Sequence, residues 1–324
     1  MGKLIVSLSP HAHGTDSVEK NMYGVIIALV PALLVSLYCF GLGAAIVCAT
    51  SVAACVFFEW AINKFIMNNQ RNTVLDGSAA LTGLLLGFNL PSNLPLWIII
   101  IGALVAIGIG KLTFGGLGSN VFNPALVGRC FLLVSFPAQM TTWPVAGQLG
   151  IGGYIDAETA ATPLSLITQG KLDELPSAVD MLIGTTGGCL GEVSALALLI
   201  GLAYMLWKKI ITWHIPVSII ATVAVMSTLL WLADDSRNPN PVYELLSGGL
   251  MLGACFMATD YVTSPMCSKG QIIYGVAIGF LTVVIRYWGS YPEGMSFAIL
   301  IMNAFTPLIN TYVKPKRFGE VTKK

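Results

Sequence analysis

The sequence predicts an all-α polytopic membrane protein, with ten transmembrane helices arranged as two five-helix repeats of opposite orientation. Composition, segment lengths and charge distribution each point that way. Of the 324 residues, 55% are hydrophobic and only 10% charged, against about 25% charged in an ordinary soluble domain. A mean hydropathy of +0.78 over this length excludes a soluble globular enzyme and a disordered chain. A net charge of +1 gives no basic footprint for nucleic acid. The 34 glycines and 16 prolines fit the same class, since both residues are commoner in transmembrane helices than in soluble ones.

A bilayer crossing takes about 20 mostly apolar residues. Segments 22–40, 44–62, 74–90, 95–111, 120–137, 181–206, 213–233, 243–259, 271–288 and 295–313 meet that requirement. The apolar run from Met22 lacks the charged n-region, short h-region and A-x-A exit of a cleavable signal, so it reads as a first span that stays. The third, fourth and fifth spans are short or interrupted by glycine and proline, which places them in the interior, where protein covers non-helical backbone.

With ten spans both termini share one side. That side carries 13 of the 17 Lys and Arg, Lys111 among them, and the opposite side carries Lys171 and Arg237; Arg129 and Arg286 fall inside spans. The positive-inside rule then makes both termini cytoplasmic. Residues 1–137 form the first repeat, 138–180 an extracytoplasmic loop, and 181–324 the second repeat with a short basic tail. Asn120-Val-Phe-Asn-Pro124 and Asn303-Ala-Phe-Thr-Pro307 share N-x-F-x-P, and Gly83-Leu-Leu-Leu-Gly87 resembles Gly249-Leu-Met-Leu-Gly253. Five spans is an odd number, so the second copy runs inverted, with functional groups expected at the repeat interface near the midplane.

The seven cysteines form no C-x-x-C pair, which suggests neither a disulfide framework nor a zinc site. His11 and His13 lack further ligands nearby, so no metal site is expected. With Lys20 they fit a basic face toward anionic lipid or a neighbouring protein of an assembly. No dinucleotide fingerprint or P-loop is present.

The charged residues inside or at the ends of spans are the first candidates. Glu192 lies in the sixth span and Arg129 in the fifth, each at a cost of about 2.5–3.5 kcal/mol on insertion scales. Two readings stand side by side: an ion path or flavin contact through Glu192, and a structural Glu192–Arg129 pair joining the halves. Asp76 opens the third span and Asp260 closes the eighth, both at the cytoplasmic side. Each reads as a cation-gathering group at an inner mouth or as a solvated helix end. For Asp76 the second reading is an N-cap and dipole partner. Asp260 faces the unfavourable dipole pole, which favours function over structure.

The outer loop holds Asp156-Ala-Glu-Thr159-Ala160-Ala161-Thr162-Pro163. As bare sequence, Thr162-Pro163 is a helix start, a threonine cap followed by proline at the first position. The stretch also resembles D-x-x-[ST]-x-A-T, the flavinylation motif of the sodium-pumping NADH:quinone oxidoreductase and the related Rnf complex. Asp156, Thr159, Ala161 and Thr162 match, while Ala160 stands where the family usually has glycine. Asp76-Gly-Ser-Ala79, Asn120-Val-Phe-Asn-Pro-Ala125, Gly188-Cys-Leu-Gly-Glu192, Ala258-Thr-Asp-Tyr-Val-Thr-Ser-Pro265 and Arg286 with Tyr291-Pro-Glu-Gly294 extend the resemblance along nearly the whole chain, toward the D subunit of the Rnf complex (RnfD).

That resemblance implies a fold similar to the ammonium and urea channels and a role in a redox-driven sodium or proton pump between ferredoxin and NAD. It implies FMN esterified to Thr162 by a flavin transferase, with Asp156, Thr159 and Ala161 completing the motif, and a second, noncovalent flavin of unassigned place. It also implies partners: the A and E membrane subunits, the G flavin subunit and the B and C cytoplasmic subunits, in the bacterial inner membrane. The B subunit of the NADH:quinone pump shares the plan but usually has a longer segment before its first span; here about 20 residues precede Met22, which favours Rnf. A channel or transporter without redox function would suit the inverted plan but has no use for the flavinylation loop.

Overall fold

The computed structural model describes residues 17–67, 73–147, 159, 161–184, 186–192, 194–234, 238–289, 291 and 293–314. Among them the chain is helical, with no strand beyond an isolated bridge between Pro144 and Thr159. Its helices are α1 (Val18–Phe65), α2 (Ser78–Phe88), α3 (Leu96–Leu104), α4 (Pro124–Ser135), α5 (Pro137–Met140), α6 (Pro163–Thr168), α7 (Ala178–Ile183), α8 (Ala195–Trp207), α9 (His214–Ala233), α10 (Pro241–Leu246), α11 (Leu250–Leu252), α12 (Ser268–Trp288) and α13 (Met295–Tyr312). Four of these, α1, α9, α12 and α13, are long and apolar enough to cross a membrane.

The first two expected spans are the arms of α1, which breaks at Gly41 (φ 57°, ψ −133°). That conformation is open to glycine and strained for any residue with a Cβ. The third span is shorter than expected. The 11 residues of α2 rise about 16 Å at 1.5 Å each, roughly half the hydrocarbon thickness. The chain then continues as the buried non-helical stretch Asn89–Asn93. α3 runs on as a π-helical segment, Val105–Leu112, and α11 as another, Gly253–Met257.

The sixth expected span, 181–206, is not one helix. α7 ends at Ile183, α8 begins at Ala195, and a glycine-rich stretch lies between them. Gly184, Gly187, Gly188 and Gly191 each cost about 1 kcal/mol relative to alanine in a helix. The freed backbone finds partners in the other interrupted segment, as Gly191 N–H donates to Phe88 O (2.7 Å) and Leu190 N–H to Leu90 O (3.2 Å). The two breaks thus satisfy each other in the interior. The eighth expected span is likewise divided, at Ser247–Gly249 between α10 and α11.

α1 packs on α2, α3 and α8; α12 packs on α9 and α13; α4 joins α2 and α3 to α13. Tyr23, Leu75 and Ile210 gather at one end, where the Tyr23 hydroxyl donates to Leu75 O and Gly24 abuts Ile210. Cys39, Gly147 and Gly184 gather at the other, where Cys39 Sγ donates to Gly184 O and Gly147 N–H to Cys39 O. The two N-x-F-x-P motifs do not occupy matching places. Asn120 precedes α4 and Pro124 is its first residue, whereas Asn303 and Pro307 both lie inside α13. Asn303 instead meets the second Asn of the first motif: with its amide oriented to satisfy its neighbours, Asn303 accepts from the backbone N–H of Asn123 (3.1 Å) and donates to the Tyr274 hydroxyl (2.6 Å).

Candidate functional site

Thr162 is the N-cap of α6, with extended backbone and its Oγ1 accepting from Ser165 N–H at 3.2 Å. Pro163 follows as the first helical residue, so the helix start expected at Thr-Pro is present. α6 is too short to hold itself by propensity. It is pinned by Pro163, Leu164, Leu166 and Ile167, all buried. Thr162 itself is only 7% exposed, while Thr159 and Ala161 are exposed. Asp156 and Ala160 lie outside the described residues.

Two cavities flank α6. The smaller, about 10 Å³, is bounded by Pro163, Met181, Gly188, Glu192 and Ser247 among others. The larger, about 520 Å³, runs along the Leu164–Gly170 side and reaches Glu244, Arg286 and Tyr287. Arg286 leaves the last turn of α12 and donates through Nη1 to Glu244 Oε2 (2.9 Å) and Glu244 O (2.8 Å), and through Nη2 to Ser247 O (2.8 Å). Gly248 (φ +68°) is what lets the guanidinium lie so close to α6. A Cβ there would sit 2.9 Å from Arg286 Nη2 and 3.1 Å from Leu164 Cδ2.

Arg129 lies inside, on α4. It donates to Asn89, in the stretch after α2, and to Glu293, just before α13. The sequence-based alternative of a Glu192–Arg129 pair is therefore corrected, because the nearer carboxylate is Glu293. Glu192 sits in the glycine-rich break rather than on a helix, and accepts from Cys189 Sγ (3.2 Å) and Cys189 N–H (3.5 Å). Its place beside a cavity wall is separate from the charge pair.

At the opposite end, Asp76 stands two residues before α2, its Oδ1 accepting from Ser78 N–H at 2.9 Å and from the Ser78 hydroxyl. The N-cap position itself is Gly77, so Asp76 serves the helix start from the residue before the cap. Ser78 Oγ also accepts from Lys111 Nζ (2.6 Å), which pairs with Glu59 Oε2 at 2.6 Å. Lys111 was expected at the membrane surface, yet it is 2% exposed, because the π-helical turn carries it inward against Glu59 of α1. Asp260 accepts from Thr263 Oγ1 (3.1 Å) and Asn120 Nδ2 (3.5 Å). Burial pushes its carboxyl upward, and these hydrogen bonds with the N–H groups of Val262 and Tyr261 pull it back. Ser78, Lys111, Asn120 and Asp260 line one narrow cavity of about 80 Å³. Asp260 therefore faces a cavity while Asp76 stands behind Ser78.

Sequence reasoning missed Glu59, Lys111, Glu244, Glu293 and Asn89 as partners. A signal existed for two of them. Glu59 and Glu244 fall inside the expected spans 44–62 and 243–259, and a carboxylate at that depth demands a partner. Nothing in the spacing identifies which cation it meets.

The model of the NQR2, RnfD, RnfE family matches residues 5–319. The D subunit of the Na+-translocating ferredoxin:NAD+ oxidoreductase complex of Acetobacterium woodii is 46% identical, over 99% of this chain and 96% of its own length. The D subunit of the proton-translocating ferredoxin:NAD+ oxidoreductase complex of Clostridium ljungdahlii is 42% identical, over 97% and 96%. The D subunit of the ion-translocating oxidoreductase complex of Ectopseudomonas mendocina is 38% identical, over 96% and 94%. With a family model spanning almost the whole chain and relatives above 40% identity at full length, the chain belongs to the NQR2, RnfD, RnfE family.

Proposed function

We propose that this chain is the D subunit of an ion-translocating ferredoxin:NAD+ oxidoreductase complex, a membrane translocase, and that it carries FMN esterified to Thr162. The full-length identity to subunits of that name supports the first part. The observation that carries the second is the placement of Thr162. It begins a buried short helix flanked by a cavity of about 520 Å³ with a guanidinium in its wall. The residues fit the group. The Arg286 guanidinium, in the wall of the larger cavity beside Glu244 and Tyr287, supplies positive charge toward a ligand rich in oxygen acceptors.

FMN bound there supplies one- or two-electron chemistry. The chain's own part is to hold and shield it. Thr162 Oγ1 takes the phosphoester, Leu164 and Ile167 exclude water, and Glu192 lines the smaller cavity beside Pro163. Asp156 completes the motif that the transferase reads.

The chain crosses the bacterial inner membrane ten times, with both termini cytoplasmic, α6 outside and the charged end near Asp260 inside. Its halves are inverted repeats. The support is that each half ties a buried basic residue late in its fourth span to the start of its third, Lys111 to Ser78 and Arg286 to Ser247. Asp260 gathers sodium ions or protons at the inner cavity. The A and E membrane subunits, the G flavin subunit and the B and C cytoplasmic subunits complete the assembly, and a second, noncovalent flavin belongs to the same electron path. Co-production with the flavin transferase tests the reading. The purified chain is then yellow and fluorescent in a denaturing gel, and a colourless chain in a fully active complex rejects it.

A further inference from the structure

Arg286 is built into its place more heavily than a structural ion pair requires. Three hydrogen bonds fix its two terminal nitrogens on Glu244 and Ser247, and the Tyr287 hydroxyl holds the second Glu244 oxygen at 3.2 Å. Gly248 brings the guanidinium up to Leu164 of α6. Its side chain is only 2% exposed, and Arg286, Glu244 and Tyr287 together stand in the wall of the cavity along α6, whose lining begins at Leu164, two residues after Thr162.

We propose that Arg286, braced by Glu244, is the positioning residue for the ring of the flavin carried on Thr162, and sets its preference for the reduced form. The inference rests on the Thr162 reading. The N1–C2 carbonyl edge of an isoalloxazine presents only acceptors, which suits a guanidinium donor. Two electrons and one proton entering the ring leave one net negative charge, concentrated at that same edge. A fixed cation beside it favours reduction, and charge near N1 is a recognised way for a protein to tune a flavin. Glu244 opposes that effect while holding Arg286 still. The two charges therefore push the flavin's potential in opposite directions, which a purely structural pair would not do.

The test measures the flavin's midpoint potential on the purified chain co-produced with the transferase, with peptide mass spectrometry on every variant to confirm the Thr162 adduct. Glu244→Gln leaves the cation uncompensated and raises the potential. The double variant Glu244→Gln with Arg286→Met removes both charges, avoids a stranded ion and lowers the potential. A tenfold change in the reduced-to-oxidised ratio reads as about 30 mV for a two-electron couple. Arg286→Lys keeps the charge but loses the forked donors, and lowers the potential by less; it serves if the double variant fails to accumulate. Adducts on Thr162 with unchanged potentials, or with shifts of one sign in Glu244→Gln and Arg286→Lys, overturn the role of Arg286 and leave the attachment standing. Absence of the adduct from the unsubstituted chain overturns both.

Discussion

Arg129 and Glu293, 164 positions apart in sequence, meet as an ion pair that joins the helix α4 to the start of α13. Their side chains are 3% and 14% exposed, so each neutralises a charge largely withdrawn from water. Removing one partner of a buried pair typically costs about 3–5 kcal/mol, whereas replacing both with apolar groups is often neutral. Arg129→Met and Glu293→Gln should each lower the melting temperature of the detergent-purified chain, and the double variant should regain most of the loss. Equal, additive losses would mean that the two side chains act independently.

The same logic applies to Lys111 and Glu59, paired at 2.6 Å with side chains 3% and 1% exposed. Lys111→Met should destabilise by about 3 kcal/mol or more, visible as reduced yield and early thermal unfolding. Adding Glu59→Gln should relieve it. A lysine at the membrane surface, as its sequence position suggests, would tolerate the single change without measurable effect.

How much of this was legible beforehand follows from what periodicity and charge can report. Apolar length and the lysine count are properties of single segments, and they located the arms of α1 and the helices α9, α12 and α13 well. The breaks after α2 and between α7 and α8 depend on two non-helical stretches satisfying each other, Gly191 against Phe88 and Leu190 against Leu90. That is a relation between distant segments, which no local pattern carries. For the same reason Arg129 was visible as a buried charge while its partner Glu293 was not. Thr162 was legible because a cap and a proline are local signals, and the cavity beside it was not.

Topology can be checked with a reporter active only outside the cytoplasm. Fused near Gly170 or Asn238 it should work, and near Asn68 or at Lys324 it should fail. Activity at Lys324 would contradict the ten-span arrangement and the shared side of the two termini.

Glu192 gives a separable prediction, because its hydrogen bonds run to its own loop at Cys189 rather than to Arg129. Glu192→Gln keeps the shape and should leave assembly and melting temperature nearly unchanged, within about 0.5 kcal/mol. Coupled ion transport in sealed vesicles should fall while flavin attachment persists. Unchanged transport with normal assembly would remove Glu192 from the ion and flavin path.

Attachment at Thr162 has the most direct test. Thr162→Ala removes both the ester site and an N-cap, whose loss costs about 1 kcal/mol, so the chain should still insert and fold. Covalent flavin should vanish in Thr162→Ala and at most weaken in Thr159→Ala. Peptide mass spectrometry on chain co-produced with the flavin transferase should find the FMN phosphoester on Thr162, at the N-cap of α6. An adduct on Thr159, or none on a fully active complex, would contradict it.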